Sequence, residues 1–156
     1  MNANPFRDTL EEICKKLDAF IADYNSRTFE EGGLKIPKQE IKIVGQAALL
    51  LAELPFPVSG TMDVDVWNQI PYLVQKKLDG LLFEKKMYLD PDGPKAWMPP
   101  DTKFQPLFDF PRLQVWIADP ESVLVSKAKF NRPKDKALIE TYLRFYPQSK
   151  ERILGR

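Results

Sequence analysis

Between Thr61 and Trp67 the chain reads Thr-Met-Asp-Val-Asp-Val-Trp. The strict alternation puts Met62, Val64 and Val66 on one face and Asp63 and Asp65 on the other, which is the period of a strand rather than of a helix. Upstream, Ile41 to Val44 reads as a short strand that runs into Gly45, and the Ala- and Leu-rich stretch from Gln46 to Glu53 predicts a buried helix that Pro55-Phe56-Pro57 stops. Strand, glycine turn, helix and alternating strand therefore follow one another.

The remaining elements fit a small mixed sheet flanked by helices, an α+β (or α/β) class. Phe6, Leu10, Ile13, Cys14, Leu17, Phe20 and Ile21 recur at helical spacing and predict an amphipathic helix over about 5–25. Leu73, Val74, Leu78, Leu81 and Leu82 predict another over 71–85, with Pro71 suited to its first turn. From Lys86 to Pro111 the chain is proline-rich, with short strands near 87–89 and 104–110. Leu113 to Ile117 reads as a further strand. Asp119-Pro120-Glu121-Ser122 is a helix start, and Pro133 opens a last helix that Pro147 ends, so C-terminal helices are expected over about 119–147.

At 156 residues the chain is expected to form one domain, residues 1–156. The charges are nearly balanced, 23 basic against 22 acidic, so any polyanion site must be local. No apolar run approaches the roughly 20 residues that span a bilayer, and residues 1–8 lack the pattern of a signal peptide. A cytoplasmic protein without a membrane partner is the expectation. Cys14 is the single cysteine, on the apolar side of its helix, which excludes an internal disulfide and suits a buried small hydrophobe. The chain has no histidine, so the common Ser-His and Cys-His nucleophile pairs and histidine-ligated zinc are excluded. Chemistry must come from carboxylates, lysines or hard cations.

Alternation makes Asp63 and Asp65 neighbours, and their oxygens suit magnesium or manganese; two such cations about 3.5 to 4 Å apart serve nucleotidyl transfer, usually with a third carboxylate. Asp109, between Phe108 and Phe110, is the candidate for that third place, against the reading of a turn aspartate. Asp119 competes, but as a helix cap it is already explained. The Gly45-Gln46 step reads equally as a packed turn or as a phosphate-binding turn. Thr61 reads first as a β-branched strand residue and second as a ligand contact. The cluster Lys127, Lys129, Arg132, Lys134 and Lys136 has the character of solvated surface, and Trp67, Trp97 and Trp116 that of packing.

Val44-Gly45-Gln46 with its helix, followed by Thr61-Met62-Asp63-Val64-Asp65-Val66, resembles the minimal nucleotidyltransferase family, which includes the AbiEii-type toxins of bacterial toxin-antitoxin systems. Lys127-Ala128-Lys129 followed by Arg132-Pro133-Lys134-Asp135-Lys136 is similar to the family's distal segment. The resemblance spans roughly Ile41 to Tyr142. It implies a nucleotidyltransferase fold and a magnesium- or manganese-dependent transfer of a nucleoside monophosphate from a nucleoside triphosphate to a hydroxyl of a protein or RNA. Asp63, Asp65 and Asp109 would then be catalytic and metal-holding, with Gly45, Gln46, Thr61, Lys127 and Lys134 on the nucleotide. A toxin-antitoxin component with a partner protein is the implied setting. The alternative is a catalytically silent binding module or antitoxin that uses its apolar first helix as an interface.

Overall fold

A computed structural model describes residues 4–155. Helix α1 (Pro5–Glu30) starts at Asn4, whose side chain accepts a hydrogen bond from the Arg7 amide at 3.0 Å and donates one to the Leu50 carbonyl at 3.1 Å. It outruns its expected end by one turn, over which an Asp23–Arg27 pair at 3.0 Å lies, and stops where Gly32 turns left-handed at φ 76°. The apolar side of α1 is Leu10, Ile13, Cys14, Leu17 and Ile21, all packed into the core. It is therefore not the open interface that the binding-module reading required.

Strand β1 (Gln39–Val44) passes directly into α2 (Gly45–Leu51), and β2 (Asp63–Val66) returns antiparallel to β1. After α3 (Tyr72–Glu84), the two-residue β3 (Tyr88–Leu89) pairs parallel with β2. A hairpin of β4 (Phe104–Phe110) and β5 (Leu113–Ala118) completes the sheet, β5 lying parallel to β1. The order is β3-β2-β1-β5-β4, a mixed five-stranded sheet. Helices α4 (Pro120–Phe130), α5 (Pro133–Phe145) and α6 (Lys150–Leu154) follow, and the fold is α+β as expected. The last helix lies beyond Pro147, where the sequence pattern gave no further element.

Register explains how the sheet divides its two faces. Ile43 sits opposite Val66, and Ile41 and Ile43 sit beside Val115 and Ile117, so one face is aliphatic and buried. The buried residues of α1 and α3 belong to the same core. Asp65 sits opposite Val44, which places both aspartates of β2 on the other face, at the end of β1 where α2 begins. Helix α2 packs on β2, β5 and α4, and α4 packs on α5 and α6, so these elements surround that end of the sheet. Among the described residues no helix is long and apolar enough to cross a membrane.

Candidate functional site

Where β2 meets α2 and α4, the chain forms an open cavity of about 980 Å³. Asp63, Asp65 and Asp90 line one part of it. Asp90 follows β3, whose register pairs Asp63 with Tyr88 and Val64 with Leu89. One residue further on, Asp90 stands alongside Asp65, and its amide donates to the Val64 carbonyl at 2.9 Å. The third carboxylate at this site is thus Asp90, which the sequence pattern did not single out.

Asp65 is the least comfortable of the three. Its Oδ1 is buried without a hydrogen-bond partner. Burial, a hydrogen bond shared with Asp90 and the charges of Asp90 and Asp63 push its pKa up to about 7, while Lys127 pulls the other way. Gly45 has φ 70°, and a Cβ there would collide with Asp65 Oδ2. The glycine thus supplies both a left-handed turn and the space that one carboxylate oxygen fills. Thr61 Oγ1 accepts the Asp63 amide at 3.1 Å and fixes the entry to β2, so this side chain shapes the backbone. Gln46 Nε2 donates to the Ser59 carbonyl at 2.8 Å, tying the loop before β2 to the start of α2.

Facing this acidic wall are residues from α4 and α5. Lys127 is 9% exposed, and its Nζ lies 3.4 Å from Oδ1 of Asp135, itself 6% exposed. Arg132 Nε donates to the other oxygen, Oδ2, at 3.1 Å. Asp135 therefore holds two cations together, and burial lowers the Lys127 pKa against the pull of that carboxylate. Lys127, Arg132, Lys134 and Asp135 all line the cavity. Lys127 is no solvated surface lysine, because the left-handed Asn131 at φ 49° ends α4 and folds α5 back against it.

Asp109 lies elsewhere. It is exposed and paired with Lys38 at 2.8 Å. Its register partner is Gln114, which sits beside Glu40, so Asp109 does share the polar face of the sheet. It is three strands from β2 and about four residues down β1 from Val44, some ~19 Å from the cluster at strand spacings of ~4.8 Å and ~3.3 Å per residue. Its alternation with Phe108 and Phe110 accounts for this face but not for its end of the sheet. Asp119 caps α4, accepting from the Ser122 amide at 3.0 Å and the Lys103 amide at 2.9 Å.

Among the described residues no three acidic side chains are drawn together into a ready-made metal centre. The donor set nevertheless suits a hard divalent cation: Asp63, Asp65 and Asp90 offer only carboxylate oxygens, and Asp65 Oδ1 has no partner from the protein. Opposed acidic and basic walls match the ends of a cation-bound polyphosphate. No family model matches the chain, and no curated protein or solved structure matches it either.

Proposed function

We propose that the chain is a cytoplasmic, magnesium- or manganese-dependent nucleotidyltransferase of the minimal nucleotidyltransferase type, acting in a toxin-antitoxin setting with a partner protein. The observation that carries this reading is the meeting of Asp63, Asp65 and Asp90 with the Lys127–Asp135–Arg132 group in one cavity. In the reaction an acceptor hydroxyl oxygen, on protein or RNA, bonds to the α-phosphorus of a nucleoside triphosphate. The bond from that phosphorus to the β-phosphate oxygen breaks, pyrophosphate leaves, and the hydroxyl proton passes to a carboxylate. Asp63, Asp65 and Asp90 would hold the divalent ions, which supply charge stabilisation for the attacking and leaving oxygens. Lys127 and Arg132, set by Asp135, would meet the developing charge of the pyrophosphate, with Lys134 nearer the rim. Gly45 contributes room for the Asp65 carboxylate, while Gln46 and Thr61 shape the loop that borders the nucleotide.

Titration of the four nucleoside triphosphates with magnesium or manganese tests the reading. Binding that needs the divalent ion and disappears in Asp65→Ala and in Asp90→Ala is the expected result. Nucleotide binding that survives both substitutions, or none at all, overturns it.

A further inference from the structure

Helix α3 carries a glycine in its exposed middle that nothing within the chain calls for. Gly80 is exposed, its backbone is not left-handed, and a Cβ built on it meets no atom within 4 Å. Glycine is the poorest helix former after proline, so alanine would suit this position better in an isolated chain. At about 100° per residue, Leu73, Lys76, Lys77, Phe83 and Glu84 fall within about 60° of the direction in which Gly80 points, and all of them are exposed. Phe83 is 67% exposed and Leu73 44%. Lys76 and Glu84 enter no ion pair among the described residues. Glu84 also stands in the last turn of α3, at the negative end of the helix, where no basic residue answers it.

We propose that this face of α3 is the contact between two copies of the chain, crossing antiparallel at Gly80 about a two-fold axis. Lys76 lies four residues before the glycine and Glu84 four after it, each about 6 Å along the helix from the crossing. A two-fold rotation through Gly80 reverses both the direction along the helix and the side of it. Lys76 therefore comes to face Glu84 of the second copy, and the same pair forms again on the other side of the axis. Three residues to either side of Gly80, the stem of Lys77, whose Nζ lies 5.4 Å from the centre of the Phe20 ring in its own chain, comes to face the Phe83 ring of the second copy. A parallel copy would instead set Lys76 against Lys76 and Glu84 against Glu84. A different protein needs no opposite charges placed evenly about one glycine, whereas a second copy does. With no side chain at the crossing, the two backbones approach closely, which gives the glycine its use. The contact is small. A ring of the size of Phe83 buries about 150–250 Å² when fully covered, so two copies of this face bury several hundred Å², less than a standard interface, and the dissociation constant is of the order of 100 µM. None of these residues lines the cavity of Asp63, Asp65 and Asp90, so the dimer leaves that site open and is independent of the function proposed above.

The test is sedimentation equilibrium of the full chain over a concentration series that brackets about 100 µM. A monomer–dimer equilibrium that weakens as salt rises is the expected result. Gly80→Gln places a long neutral side chain at the crossing and should raise the dissociation constant by about tenfold or more. The same substitution should raise the melting temperature at low concentration, because glutamine is the better helix former and has free space in the monomer, so loss of the dimer is not loss of the fold. Lys76→Glu alone and Glu84→Lys alone should each weaken the dimer by about tenfold, since both pairs then become like-charged. Lys76→Glu combined with Glu84→Lys in one chain should restore the dimer to within about threefold of the native affinity, and so should mixing the two single variants. A chain that is monomeric throughout, a dimer indifferent to Gly80→Gln, or single exchanges that the combination does not rescue overturns the proposal and leaves this face to a different protein.

Discussion

At Gly45 two constraints coincide, the left-handed backbone at φ 70° and the Asp65 oxygen occupying the place of a Cβ. Gly45→Ala should therefore destabilise the protein by about 2 kcal/mol, of which 1–2 kcal/mol is the left-handed cost of any Cβ and the rest is displacement of the carboxylate. Denaturant unfolding measures the loss, and a change within about 0.5 kcal/mol would contradict it. Asp65→Asn should act in the opposite direction. A buried carboxylate oxygen without a partner, beside two other acids, weakens the protein until a cation answers it, so the neutral amide should raise stability by about 1 kcal/mol. Divalent-dependent nucleotide binding should be lost in the same variant. Stability gained as binding is lost marks a residue kept for chemistry; a destabilised Asp65→Asn would make Asp65 structural instead. Asp109→Asn, at an exposed pair, should change stability by less than about 0.5 kcal/mol.

Among the elements, the junction of α4 and α5 carries the most concentrated electrostatics. Asp135→Ala would leave Lys127 buried without a counter-charge and should cost about 3 kcal/mol, as breaking one side of a buried pair does. Chemical denaturation measures it, with Asp101→Ala, whose exposed carboxylate pairs with Arg152, as a control expected to lose much less. This scale also shows why some of the site was legible in the sequence and some was not. Alternation over Met62 to Val66 needs only local geometry, and it correctly put Asp63 and Asp65 on one face. The face of Asp109 was equally local, but its distance from the cluster is set by the β4–β5 hairpin and by pairing with β1, which are long-range. Asp90 escaped notice because β3 is two residues long and has no period to read; only its pairing with β2 gives Asp90 a place. Lys127 looked like one lysine in a basic run, and it is distinguished only once α5 folds back and brings Asp135 to it.

On the scale of the whole molecule, Cys14 reports on the core shared by α1, α3 and the sheet. It is 1% exposed, and burial, with a smaller contribution from Glu11, pushes its thiol from 9.0 up to about 12. A raised pKa on a group that ionises by losing a proton favours folding below the unfolded value and opposes it above. At neutral pH the thiol is protonated in both states and contributes nothing to the pH dependence. From about pH 9 the unfolded chain releases this proton while the folded chain retains it, so stability should fall as pH rises toward 12. The slope from this one group approaches 1.4 kcal/mol per pH unit. Lysines and tyrosines titrate in the same window, so the observable is the difference between the native chain and Cys14→Ala. Cys14→Ala starts from a lower stability because of the cavity it leaves, but its stability should decline less steeply between pH 8 and 10. Equal slopes would mean that the thiol ionises as readily in the folded chain as in the unfolded one. A thiol reagent at pH 8 gives an independent reading. Because α1 docks along its whole buried side, labelling should require unfolding of the core rather than fraying of the helix, and its rate should follow global stability across the Gly45→Ala, Asp65→Asn and Asp135→Ala series. Labelling that is fast in all of them would show that α1 opens alone and that the core does not unfold as one unit.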